Sequence, residues 1–335
     1  MPLVTDRREV LEIFSTARKR GWVIPAFGTE NLTTTEAILA GAQEHAQALG
    51  ENDLPIMIAA TNRYPDRSQT SYYTHTRNCA LGLELLMADL QVLTSATSPF
   101  GKLRVLFHLD HIQHDLDEDL WRGDLSRFSS IMFDASTLPL AENIEATRRF
   151  VAERREDIVI EGACDYIGGR ESRLTDVTEA ARFLEETGVD WMVPNLGTEH
   201  RAGVSELRYA RELAQQIAAQ IGPRLVLHGT SSVSLDQLGG LAEDGVTKVN
   251  LWTALERDAS AVLLRMMAKE AGKVAGQTQA QELQREGLLG SQADVTATAS
   301  LNHFPTAARQ LLIFEEMKKQ VLRYLEIWYP ENLPQ

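Results

Sequence analysis

The sequence predicts an α/β fold, a (β/α)8 TIM barrel with a C-terminal helical extension. Three observations predict it: eight short apolar runs, helical periodicity between them, and histidines collected where three of the runs end. The runs are 22–27 (WVIPAF), 55–60 (PIMIAA), 104–109 (RVLFHL), 130–134 (SIMFD), 158–162 (IVIEG), 190–196 (DWMVPNL), 224–228 (RLVLH) and 247–251 (TKVNL). Each has the length and apolar content of a buried strand.

The segments between them carry the 3.6-residue period. TTTEAILAGAQEHAQAL follows the first run, AENIEATRRFVAERRE the fourth and TDVTEAARFLEETG the fifth. VSELRYARELAQQIAAQI follows the sixth and SLDQLGGLAEDG the seventh. Thr33 and Asp176 are capping candidates, and Gly188 and Gly245 are stop signals. Strand–helix alternation implies parallel pairing with right-handed crossovers, and eight such units close into a barrel. An open doubly wound sheet also alternates. The count of eight favours the barrel, as does GTENLTT after the first run, where a Gly-rich dinucleotide fingerprint would stand.

Residues 1–255 are therefore expected to form the barrel and 256–335 a helical extension packed on the same domain, interrupted near GLLGSQADVTATASLNHFP. Residues 62–103 break the rhythm. They read as a long loop with a polar, Tyr-rich start, either a lid or interface arm or a variable surface insertion.

The chain has 335 residues with 33 basic against 47 acidic, a formal net charge of −14. That balance lacks the basic footprint of a nucleic-acid binder. No apolar stretch approaches the roughly 20 residues of a membrane span, and the N-terminus MPLVTDRREVLEIF lacks the apolar core of a signal peptide. Cys79 and Cys164 are too few for a disulfide framework, so a reduced cytoplasmic setting is expected.

Catalytic groups in a barrel come from the C-terminal ends of its strands. Of the eight histidines, His108 and His111 end the third run, His228 ends the seventh, and His200 lies just past the sixth. Imidazoles converging from separate strands suit a zinc ion, which keeps three protein ligands and one open position when catalytic.

The fragments FHLDH (107–111), MFDASTLPLAENI (132–144), TGVDWMVPNLGTEH (187–200), LVLHGTSS (225–232) and GVTKVNLWT (245–253) resemble the class II, zinc-dependent fructose/tagatose-bisphosphate aldolases. They occur in the family's order between about Val10 and Leu255. The resemblance implies one catalytic zinc on His111, His200 and His228. Asp134 would lie near the metal or at a second site, and a monovalent cation or second divalent site stays open. It implies Asp110 as the acid–base group on the oxygen and Glu171, just past Gly168-Gly169, as the group exchanging the carbon-bound proton. Thr61, Gly229, Ser231, Asn250 and Thr253 would bind substrate and phosphate. The implied reaction is reversible aldol cleavage of a ketose phosphate or related sugar through a metal-stabilised enediolate, in a homodimer or dimer-based oligomer.

Five positions depart from the family. Gly28 stands for an asparagine, Ala163 for a metal-associated glutamate flanked here by Glu161 and Asp165, and Arg201 for a glycine. Thr230 replaces the second glycine of a His-Gly-Gly-Ser run, and Trp252 an aspartate. Arg201 could bind a carboxylate or phosphate bidentately. The changes cluster on the substrate side and imply altered specificity. A metal-dependent sugar-phosphate isomerase or epimerase, and a catalytically silent aldolase-like binding protein, are the alternatives.

Overall fold

The computed structural model describes residues 3–167, 173–198 and 208–331. Helix α1 (Arg7–Lys19) comes first, started by the Asp6 side chain accepting from the Glu9 amide. It buries Val10, Ile13, Phe14 and Ala17, one face of a helix, and Phe14 packs its ring 4.0 Å from that of Trp191.

The barrel follows. Strand β1 (Ile24–Gly28) leads to α2 (Leu32–Leu49), and β2 (Pro55–Thr61) to α3 (Gln69–Tyr72) and α4 (Cys79–Leu93). Strand β3 (Arg104–Gln113) leads to the short α5 (Glu118–Trp121), β4 (Ser130–Asp134) to α6 (Leu140–Arg154), and β5 (Val159–Ala163) to α7 (Val177–Thr187). Strand β6 (Trp191–Val193) precedes α8 (Arg211–Ile221), and β7 (Leu225–Leu227) precedes β8 (Val246–Leu251). All neighbours are parallel, and β8 pairs back onto β1 through Ile24–Lys248 and Ala26–Asn250, so the sheet closes.

Local signals explain most boundaries. Asp176 caps α7 by accepting from the Thr178 and Glu179 amides, and Gly188 ends it in the left-handed region at φ 72°. Asn31, rather than Thr33, caps α2. Two expectations are corrected. SLDQLGGLAEDG forms no α-helix: only Leu235–Gln237 makes a 3-10 turn, because the Gly239-Gly240 pair, with Gly240 at φ 76°, breaks the period. The 62–103 connection is not one long loop, since α4 occupies its middle and buries Leu83, Leu86, Met87 and Leu90.

After β8 come α9 (Thr253–Lys269), α10 (Ala271–Ala275), α11 (Gln277–Arg285) and α12 (Thr306–Trp328). Helix α12 buries Met317, Val321, Tyr324, Leu325 and Trp328, which join the same apolar cluster as the strands. It crosses α2 so closely that a Cβ at Gly41 would stand 2.7 Å from a Val321 methyl. Among the described residues, no helix is long and apolar enough to cross a membrane.

Gly41 is therefore a packing requirement. Gly41→Ala is expected to lower stability by about 1–3 kcal/mol through overpacking, and adding Val321→Ala should recover part of that loss in denaturant melts.

Candidate metal centre and active site

Period-2 alternation in β3 would send Asp110 and His111 to opposite faces. The register with β4 shifts between Leu109 and Ile112, and His111 sits at φ 48°, the left-handed region. This bulge lets both adjacent side chains line the cavity at the strand ends. A non-glycine residue held there costs of order 1–3 kcal/mol, which the surrounding contacts offset. Tyr64 stacks on the His111 ring at 4.4 Å and 14°. Asp134 at the end of β4 accepts from His111 Nδ1 at 2.7 Å, and is itself held by Ser136 and Gln113.

His228, at the end of β7, makes the mirror arrangement. Its Nε2 lies 3.1 Å from Glu161 Oε1, and its Nδ1 lies 3.2 Å from His111 Nε2. With each outer nitrogen donating to its carboxylate, the inner nitrogens of His111 and His228 face each other and share either a proton, which the raised pKa of His111 beside Asp110 and Asp134 allows, or a metal cation. The carboxylate–histidine pattern is what orients imidazoles toward a metal. Asp110 completes a group whose ligand atoms lie within 4.8 Å of one another. The donor set fits a divalent metal.

Below this group the barrel interior is charged. Lys248, fully buried, donates to Glu161 Oε2 at 2.8 Å and Asn250 Oδ1 at 2.6 Å, and lies 3.3 Å from His108 Nε2. Asn250 in turn donates from Nδ2 to Asp110 Oδ1 at 2.9 Å. Burial would raise the pKa of Glu161, but Lys248, His108 and His228 hold it well below the carboxylate range. Asp134 is likewise low, burial being outweighed by His111 and Ser136. Burial and Lys248 both depress His108, keeping it neutral.

The remaining expected positions divide by location. Gly229 (φ 67°), Ser231 and Thr253 line the cavity, with Thr253 opening α9 and Ser231 Oγ accepting from the Ala254 amide. Thr61 also lines it, but its hydroxyl donates to the Arg67 carbonyl and accepts from the Gln69 amide. Asn250 is engaged at both ends of its amide by protein. Glu171, His200 and Arg201 lie outside the described residues.

Thr230, in place of a family glycine, has no positive φ and turns its hydroxyl to the Asn250 carbonyl, away from the cavity. Ala163 is buried, Asp165 is taken by Thr175, and Glu161 serves His228 rather than entering the metal group. The sequence reading left Lys248, Gln69 and Tyr64 unassigned. For Lys248 a signal existed: in VTKVNL, period 2 places Lys248 on the same inward face as Asn250.

The family model described as fructose-bisphosphate aldolase class-II matches residues 8–320. Among solved structures, the YdjI aldolase of Escherichia coli K12 is 18% identical with a TM-score of 0.63, covering 96% of each chain. The fructose-bisphosphate aldolase of Campylobacter jejuni is 17% identical with a TM-score of 0.72, covering 98% of this chain and 95% of that one. A putative fructose-1,6-biphosphate aldolase of Coccidioides immitis is 22% identical with a TM-score of 0.65, covering 97% and 96%. At these identities the structural likeness establishes the fold.

Two expectations follow from the charged interior. Lys248→Met would leave Glu161 buried without its cation and is expected to destabilise by about 3–5 kcal/mol, read as a fall in denaturation midpoint. Asp134 and Glu161 have depressed folded-state values, so their stabilisation is complete above the unfolded carboxylate pKa of about 4 and is lost as pH falls through the lower folded values. Thermal melts of the chelator-treated protein should decline below about pH 4, and Asp134→Asn should flatten that decline.

Proposed function

The chain belongs to the class-II fructose-bisphosphate aldolase family and is an aldehyde-lyase, and from that premise we propose that it uses one zinc ion to cleave and form a ketose phosphate or related sugar with altered specificity. The observation that carries the zinc reading is the 3.2 Å approach of His111 Nε2 and His228 Nδ1, each backed by a carboxylate. His200, outside the described residues, would be the third histidine by resemblance. Asp134 serves as the partner that fixes the His111 tautomer, and Glu161 does the same for His228.

Zinc, when bound, polarises the donor carbonyl and stabilises the negative charge that develops on its oxygen. The protein's own groups do the rest. Asp110, held by the Asn250 amide beside the metal group, takes the hydroxyl proton as the carbon–carbon bond breaks and returns it in condensation. Asn250 is a positioning residue here, since Lys248 fixes which way its amide points. Glu171 is proposed as the group that exchanges the proton on carbon. Gly229, Ser231 and the start of α9 at Thr253 offer backbone N–H groups and a helix N-terminus to one phosphate. Arg201 is proposed as an additional anion contact. A dimer-based assembly and a cytoplasmic setting accompany this reading.

Metal analysis of the purified protein together with a retro-aldol screen of ketose phosphates tests it. One zinc per chain and aldehyde release are expected, with His111→Ala losing both. Retention of zinc and activity in that variant would place the centre elsewhere. Efficient turnover of fructose 1,6-bisphosphate would remove the altered-specificity part alone.

A further inference from the structure

Thr61 stands where the resemblance implies a substrate contact, yet the chain uses it on its own backbone. Its hydroxyl donates to the Arg67 carbonyl and accepts from the Gln69 amide at 3.0 Å, and its N–H donates to Gln69 Oε1 at 2.9 Å. Three hydrogen bonds thus tie residues 67–69 to the end of β2, at the lining of the cavity. The two side chains that this segment brings to the cavity, Arg67 and Gln69, both keep donors unused.

Gln69 is 4% exposed, and its amide is oriented because Oε1 is taken by Thr61. Its Nε2 has no partner among the described residues and lies over Gly28, 2.8 Å from where a Cβ there would stand. Glycine at position 28 leaves this donor its room, and a side chain there would push it aside. The N–H is left to the cavity, where a ligand oxygen can accept it.

Arg67 is the only Lys or Arg among the described residues that line the cavity. Its Nε and Nη2 donate to the two oxygens of Glu30 at 2.8 and 2.6 Å, and its guanidinium lies 3.5 Å over the Tyr72 ring. One edge and one face are therefore held. A guanidinium carries five N–H donors in a planar fork. Glu30 takes two of them, and Nη1 has no partner among the described residues. The edge made by Nη1 and the second N–H of Nη2 stays open, and it matches two oxygens of an oxyanion. Glu30 cancels much of the long-range field but leaves this fork ordered before a ligand arrives, which lowers the entropy cost of binding. Arg67 also stands 5.6 Å from the ring of Trp252, the residue that directly precedes α9 and gives it no side-chain cap. The guanidinium is thus a neighbour of the helix N-terminus that lines the same cavity at Thr253.

We infer that Arg67 and Gln69 are substrate-binding residues that hold a phosphate group, the guanidinium fork on two of its oxygens and the carboxamide N–H on an oxygen as well. A phosphate suits the cavity better than a carboxylate, because its three free oxygens can accept from the fork, the amide and the backbone N–H groups together. The inference rests on the aldolase reading only for the phosphate's belonging to a sugar.

The test is calorimetric titration of inorganic phosphate into the full-length, metal-loaded protein. Arg67→Met should weaken phosphate binding at least about tenfold, and Gln69→Leu about three- to tenfold, the scales of a charge-assisted and a neutral hydrogen bond. Glu30→Gln keeps an acceptor for the guanidinium and removes the opposing charge, so it should tighten phosphate binding. Adding Arg67→Met to Glu30→Gln must lose the affinity again. Phosphate binding unmoved by Arg67→Met overturns the inference. An equal loss in Glu30→Gln also overturns it, since Arg67 would then be only one half of a structural ion pair. Should Arg67→Met lower the melting temperature, Arg67→Lys, which keeps the charge without the fork, must show an intermediate affinity. Phosphate binding that follows these residues in a protein releasing no aldehyde from any ketose phosphate would refute the aldolase reading and leave this inference standing.

Discussion

The site depends on one buried ammonium. Lys248 is fully buried in the barrel interior, so it needs partners, and it finds His108, Glu161 and Asn250. Through Glu161 it supports His228, and through Asn250 it supports Asp110. The imidazole proposed as a metal ligand and the carboxylate proposed as the acid–base group, on different strands, are thus oriented by a single charge. A buried ion pair of this kind contributes little net stability compared with an apolar core. Its physical return is orientation: the charge fixes which nitrogen of His228 and which end of the Asn250 amide face the cavity.

A second constraint is geometric. Adjacent residues on a strand cannot share a face, yet Asp110 and His111 must both reach the cavity. The bulge in β3 solves this by placing His111 in the left-handed region, with Asp134 and the Tyr64 ring holding it there. The strain falls on a residue proposed as a metal ligand, and functional sites are where such outliers cluster.

The departures from the family take different meanings once they are seen in three dimensions. Thr230 is silent toward the cavity because its backbone never needed a glycine. Ala163 stands where the family has a carboxylate, and among the described residues its neighbours Glu161 and Asp165 are otherwise engaged. Gly28 and Trp252, far apart in sequence, meet with Gln69 at the lining of one cavity. Substrate-side changes that look like losses residue by residue are, in space, a rebuilt wall.

How far the sequence alone reached follows from the range of the forces involved. The eight strands, the α7 cap and stop, and the strand-end positions of His111 and His228 were legible, because period, capping and chain order are local properties. The missing helix after β7 was misread since a glycine pair outweighed an apparent period, and α4 was missed inside a segment whose polar start resembled a loop. Lys248 and Glu161 were visible as residues but not as partners. Pairing across the barrel depends on closure of the sheet, which brings β3, β5 and β8 within hydrogen-bonding distance although they are many residues apart. Sequence thus determined which chemical groups stand at the barrel's mouth. Only the tertiary structure decided which of them touch, because contact between strands is set by register, bulge and burial rather than by any property of one strand.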